Sequence, residues 1–161
     1  MTALVILFSS TLAFAGVVPA APVLSADAQS LLELLRLRDA PGCANLGAAG
    51  EAQRDALVAL TAVESPPYVP LRAADCLVAG YGSDPVAQGA MRGWMTDPEA
   101  AGLAMLVVTR LDALPEPLAV ELARAALGTA DARWKTRFSE RIAKSGNAAV
   151  RATLDTSRAA Q

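Results

Sequence analysis

The apolar residues of this chain recur at helical spacing, and turn-forming motifs separate the apolar segments. Leucines cluster between Leu31 and Leu35, and Trp134, Phe138 and Ile142 form a stripe at i, i+4 and i+8. No long segment alternates apolar and polar residues with the period of a half-buried strand. The pattern therefore predicts eight helices and an all-α fold, with the aromatic stripe facing the core. A binding stripe on a concave face is the alternative for these three residues.

Capping residues and prolines mark where these helices begin. Ser25, Asp84 and Asp97 are expected N-caps. Pro85 and Pro98 follow two of them at the first helical position, where the backbone N–H that proline lacks would form no hydrogen bond within the helix. The predicted helices cover approximately residues 25–38, 51–63, 70–81, 84–95, 97–111, 118–125, 132–145 and 147–155. The fifth helix is apolar nearly all round, which predicts burial on several sides.

The turns within helix pairs and the boundaries between pairs recur at a fixed interval. Turns fall at residues 83–85, 114–117 and 146–147, and boundaries fall near residues 66–67, 97–98 and 130–131, so both series repeat about every 31 residues. Such a repeat predicts stacked helix pairs. The predicted fold is a right-handed array of antiparallel helix pairs, with a capping pair over residues 25–64 and about three repeats over residues 66–161. A closed orthogonal bundle of the same helices is the alternative.

The unit that begins near residue 66 resembles a known repeat family. Its first helix contains Leu71-Arg72-Ala73-Ala74 and Cys76-Leu77, and Gly82 and Asp84-Pro85 follow at the turn. In the short bacterial HEAT-like repeat, a helix with an apolar-Arg-x-Ala pattern precedes a Gly-Asp-Pro turn and a second helix. The resemblance covers roughly residues 66–155, although the second unit lacks the arginine and the third lacks the Asp-Pro turn. It implies a HEAT-like α-solenoid that acts as a scaffold for a partner, usually a protein.

The N-terminal segment has the features of a secretory signal peptide. Residues 1–26 contain no charged side chain, and small residues occupy the −3 and −1 positions in Ala13-Phe14-Ala15 and in Val18-Pro19-Ala20. We predict a signal peptide over residues 1–20 that is cleaved after Ala20 or Ala15, and hence a periplasmic or secreted protein. The usual basic n-region is missing and the apolar run approaches the ~18 residues of a spanning helix. The alternatives are therefore a membrane anchor that retains residues 3–23, or a buried helix.

The chain contains two cysteines, Cys43 and Cys76. In an oxidising compartment such an even pair predicts a disulfide. The bond would tie the capping helix pair to the repeats. Two buried thiols that pack as small apolar side chains are the alternative.

Positive charge is concentrated in the last fifth of the chain. The whole sequence is nearly balanced, with 14 basic and 16 acidic residues, which argues against a nucleic-acid binder. Residues 131–161, however, hold seven basic and three acidic residues. The seventh predicted helix carries Arg133, Arg137, Arg141 and Lys144, and these are the predicted partner-binding residues. They would bind an acidic protein, a phospholipid headgroup or another anionic surface; a purely solvated helix face is the alternative.

Residue types that usually carry catalysis are scarce. The chain has no histidine, which removes the commonest general base and the commonest metal ligand. Asp75 lies three residues after Arg72, which predicts a local ion pair rather than a catalytic carboxylate. Met91, Met95 and Met105 could supply thioether ligands for Cu(I), or fill gaps in the core. We expect no catalytic activity, no metal and no cofactor; an enzyme that uses carboxylates alone is the remaining alternative.

These observations together predict an exported helical-repeat scaffold that binds another protein or macromolecule. A membrane-tethered accessory or structural subunit is the alternative, and it requires that residues 3–23 are retained. Contact with a membrane is expected only in that second case.

Overall fold

The computed structural model describes residues 24–46, 50–64, 66–129 and 131–159, and all regular structure in these ranges is helical. Its α-helices are α1 (Ala26–Arg36), α2 (Glu51–Leu60), α3 (Tyr68–Tyr81), α4 (Pro85–Thr96), α5 (Ala101–Thr109), α6 (Glu116–Leu127), α7 (Ala132–Ile142) and α8 (Ala148–Ala159). Short 3-10 helices cover Cys43–Asn45, Pro98–Ala100 and Leu111–Ala113. The predicted all-α class is confirmed for the described residues.

The predicted signal peptide over residues 1–20, and its alternative as an anchor over residues 3–23, lie outside the described residues. Among the helices that are described, none is both long enough and apolar enough to cross a bilayer.

The predicted N-caps are present. Ser25 Oγ accepts a hydrogen bond from the N–H of Ala28 at 3.2 Å, and Asp84 Oδ1 accepts from two N–H groups at the start of α4, at 2.8 and 3.1 Å. Asp131 caps α7 in the same way. Asp97 caps a 3-10 turn instead of the fifth α-helix, so α5 begins four residues after this aspartate.

Each helix packs against the next helix in the chain and against the helix two positions further on. The odd-numbered helices therefore form one series of contacts, and the even-numbered helices form a second. Their buried side chains join in one continuous apolar core, which includes Leu77, Met91, Val107, Leu122 and Ile142. Contacts confined to near neighbours in sequence are typical of repeat proteins.

Helix α5 is less completely buried than its composition predicts. Ala104, Val107 and Val108 are buried, but Leu103 and Leu106 are only partly covered. The reason is its position, because α5 contacts α3 and α7 within the odd-numbered series and leaves part of its circumference to solvent.

The predicted disulfide joins Cys43 to Cys76, with an S–S distance of 2.10 Å and a Cα–Cα distance of 5.0 Å. It connects the 3-10 turn that follows α1 to the middle of α3. The segment between α1 and α2 is therefore covalently tied to α3.

Candidate functional site

Arginine–carboxylate ion pairs connect successive helix pairs. Arg54 bonds to Asp84 at 2.8 Å, Arg92 to Glu121 at 2.6 Å and Arg110 to Asp75 at 2.9 Å. The paired residues are 30, 29 and 35 positions apart, which is close to the interval between the predicted turns. The arginine hydrogen bonds lower the pKa of the carboxyls of Asp84 and Glu121. Each of these three arginines therefore has a carboxylate partner within the fold.

The predicted local ion pair between Arg72 and Asp75 is wrong. Asp75 pairs with Arg110 of the next helix pair. Arg72 donates to the carbonyl oxygens of Leu35 and Leu37 at the C-terminal end of α1, both at 2.6 Å. A helix C-terminus carries unpaired carbonyls and partial negative charge, so it attracts the guanidinium more strongly than a solvated carboxylate on the same helix.

Asp112 connects the turn before α6 with the turn before α8. Its carboxylate accepts hydrogen bonds from the hydroxyl of Ser145 and from the N–H of Gly146, the latter at 2.8 Å. The Ser145 hydroxyl, followed by the Gly146 N–H, holds the pKa of Asp112 below its ordinary value. Sequence reasoning missed this contact because its members are more than 30 residues apart.

The four predicted binding residues lie on α7 and the turn that follows it. Arg133, Arg137, Arg141 and Lys144 are all exposed, and none forms an ion pair with a carboxylate of the described chain. We call these four residues the α7 cation row. The opposite side of α7 faces the core, where Phe138 and Ile142 are buried as predicted. The row therefore presents positive charge to solvent, with Glu140 as the one exposed acidic residue within α7.

Trp134, the third member of the predicted core stripe, is only half-buried and lines an open cavity of about 550 Å³. The cavity lies among α4, α5, α6 and α7, and we call it the aromatic cavity. Its walls include Trp94, Met95, Ala101, Ala104, Ala125, Gly128, Trp134 and Phe138. Small side chains on α5 and α6 leave space between the larger side chains on α4 and α7.

The aromatic cavity and the α7 cation row meet at Trp134. The Trp134 ring stacks on Phe138 with centroids 5.8 Å apart, and the guanidinium of Arg137 lies 5.4 Å from the centre of the Trp134 ring. This cation–π contact places one member of the row beside an aromatic wall of the cavity. Sequence reasoning considered Trp134 and Phe138 as a binding stripe but missed the other walls of the cavity, because these come from three further helices and are mostly apolar.

The two carboxylates at the edge of the aromatic cavity have structural roles. Asp97 and Asp131 border the cavity, but both carboxylates accept backbone N–H groups as helix caps. Within the described ranges, no group of three or more histidine, cysteine, aspartate or glutamate side chains is placed to hold a metal ion. Met91 and Met95 are buried in the apolar core, as the gap-filling interpretation of these methionines expects.

In comparisons with known proteins, no protein-family model, no curated protein and no solved structure matches the chain. The resemblance to HEAT-like repeats stays a prediction.

Proposed function

We propose that this chain is an exported helical-repeat scaffold that binds an acidic partner protein through the α7 cation row. The observation that carries the proposal is the contrast between two groups of cations. Arg54, Arg92 and Arg110 each pair with a carboxylate of a neighbouring helix pair. The four members of the row have no such counterpart among the described residues, so their charge is available to a partner.

Local helix energetics favour Arg141, which lies in the last turn of α7, but they do not account for Arg133 and Arg137. Arg133, Arg137 and Arg141 succeed one another at i+4 spacing, and like charges at that spacing destabilise a helix by about 0.2–0.5 kcal/mol per pair. Arg133 also lies in the first turn of α7, where the helix dipole disfavours a positive charge. An acidic partner would remove both penalties, which makes complex formation favourable and sensitive to salt.

The proposed scaffold is a HEAT-like array of antiparallel helix pairs. Two features support this arrangement over a closed bundle. Helices two positions apart contact each other all along the chain. The ion pairs between successive helix pairs also recur at separations of 29–35 residues, near the sequence period. In a stacked array, contacts between neighbouring units recur at about the repeat length. A closed bundle does not require contacts at a regular sequence separation.

Export is supported by the disulfide between Cys43 and Cys76, because such bonds persist in oxidising compartments. The charge-free segment over residues 1–26 supports it as well. The same segment lacks a basic n-region, which favours the membrane-tethered accessory subunit as a second candidate. Intact mass of the exported protein separates the two: loss of residues 1–20 supports a released scaffold, and a full-length mass in the membrane fraction supports the tethered subunit.

The binding proposal is tested by reversing charge in the middle of the row. Wild-type protein is cross-linked in its native exported fraction, and the captured partner is then purified and titrated against variants. We expect Arg137→Glu/Arg141→Glu to weaken binding at least about tenfold, with an unchanged melting temperature because both side chains are exposed.

The matched control is Arg38→Glu/Arg124→Glu. It makes the same change in net charge at exposed arginines on α6 and just after α1. Equal weakening by both double variants would show that overall charge, and not the row, governs binding. Early melting of the α7 variant would instead show that the row is structural.

A further inference from the structure

The aromatic cavity and the α7 cation row adjoin, and we propose that they form one recognition site for an acidic segment of a partner protein that carries a bulky apolar side chain. The apolar side chain would fill the cavity, and flanking carboxylates would pair with Arg137 and Arg141. This inference rests on the proposed function and specifies the chemistry of the partner.

The cavity has the size and lining of a site for an apolar side chain. Its volume of about 550 Å³ lies within the range of about 300–1,000 Å³ that is usual for ligand pockets. Two tryptophans and Phe138 supply its aromatic surface, and alanines of α5 and α6 supply its floor. A bulky apolar side chain buried against tryptophan is a common energetic centre of protein interfaces.

Arg137 links the two halves of the site. Its guanidinium stands over the Trp134 ring, so a carboxylate beside a side chain in the cavity would meet it at close range. Arginine binds a carboxylate through two parallel hydrogen bonds, which fixes orientation as well as position. The same geometry would hold the acidic flank of the partner against α7.

The carboxylates at the edge of the cavity determine in which direction the acidic residues of the partner would run along α7. Asp97 and Asp131 border the cavity and carry negative charge, so they repel acidic residues near the N-terminal end of α7. Arg141 and Lys144 lie towards and beyond its C-terminal end, whereas Arg133 lies in its first turn, two residues after Asp131. The acidic residues of the partner should therefore run from Arg137 towards Lys144.

The dimensions of the row favour a peptide over a single phosphate group. Arg137 and Lys144 are seven residues apart, or about 10 Å at about 1.5 Å per residue. One lipid headgroup or free phosphate would engage only part of that length. A polypeptide segment places several carboxylates along it and also supplies the side chain for the cavity.

Intrinsic fluorescence reports directly on the cavity, because both tryptophans of the chain line it. The probe is a synthetic peptide without tryptophan, in which glutamates follow a single leucine. Two matched peptides replace the leucine by alanine, or all glutamates by glutamine. We expect the first peptide to shift tryptophan emission to shorter wavelength and to bind at least about tenfold more tightly than either control peptide.

Filling the cavity provides the independent test. Ala101→Leu places a larger side chain in the cavity wall, whereas Ala149→Leu makes the same change at an exposed position on α8. We expect the first variant to lose both the emission shift and the preference for leucine, and the second to behave as wild type. If Ala101→Leu does not fold, Ala125→Met on α6 serves the same purpose.

The outcomes separate this inference from the proposed function. Binding that depends on the glutamates but not on the leucine or on Ala101 would overturn the combined site and leave the row as a binding surface. The absence of any peptide binding to folded protein would also overturn it, while the partner titration with the Arg137/Arg141 variant would still decide the proposed function. Anionic vesicles that shift tryptophan emission where the peptides do not would assign the site to lipid.

Discussion

Removal of the Cys43–Cys76 disulfide should destabilise the protein by an amount set by the loop that it closes. The two cysteines are 33 residues apart. Loop-closure entropy for that length corresponds to about 3.7 kcal/mol at about 25 °C. In a chain of this size, such a loss lowers the melting temperature by roughly 10 °C. The bond ties α1 and α2 to α3, so the capping pair should lose protection first.

Urea denaturation of four samples measures this effect. Oxidised wild type is compared with wild type in reductant, and a Cys43→Ala/Cys76→Ala variant is measured with and without the same reductant. Cys76 is buried, so its replacement by alanine removes packing as well as the disulfide. Reduced wild type keeps both sulfur atoms, so its loss of stability measures the effect of loop closure alone. We expect reduced wild type to lose about 3–4 kcal/mol and the double variant to be insensitive to reductant.

A small difference between oxidised and reduced wild type, below about 1 kcal/mol, would refute the loop-closure reasoning. It would mean that the unfolded chain is already compact between the two cysteines, or that unfolding leaves this loop intact. Hydrogen exchange distinguishes these explanations, because faster exchange confined to α1 and α2 on reduction would place the effect in the capping pair alone.

Two further predictions concern carboxylates at the turns. Asp84→Ala should lower the melting temperature more than Asp131→Ala, because both changes remove an N-cap of the same geometry but only Asp84 also pairs with an arginine of α2; equal effects in thermal denaturation would show that the ion pair contributes little. Asp112 has a lowered pKa in the folded protein, so its contribution to stability is present above the ordinary pKa of an aspartate and disappears as the pH falls through the lower, folded pKa. Asp112→Asn should therefore flatten the loss of melting temperature in acid, and an unchanged acid profile would contradict this account.

The elements that sequence reasoning located correctly depend on short-range signals. Ser25, Asp84 and Pro85 act within one helical turn, so their capping role can be predicted from their immediate neighbours. The third helix begins at Tyr68 and not near Pro70, because the Pro66 carbonyl already accepts the N–H of the residue after Tyr68. This error arose because α3 has no side-chain cap that would mark its first residue.

The other differences from the predicted structure concern one turn and the contacts between helices. The Asp97-Pro98 motif has the same composition as Asp84-Pro85, yet it begins a 3-10 turn. Asp75 finds its arginine on α5 rather than one turn away on its own helix. The aromatic cavity depends on which alanines of different helices face one another. A single sequence predicts which face of each helix is apolar, but not how far apart the faces lie.

The α7 cation row admits a second physical explanation, and the two explanations predict different responses to charge reversal. Helix α7 is the last of the odd-numbered series in the described part of the chain, and the terminal units of repeat proteins need a polar outer face to stay in solution. A solvating face requires charge of either sign, so Arg137→Glu/Arg141→Glu would preserve it. A recognition surface requires positive charge and would be destroyed by the same change. Solvation also gives no reason for a half-buried tryptophan beside Arg137, and this tryptophan is why we favour recognition.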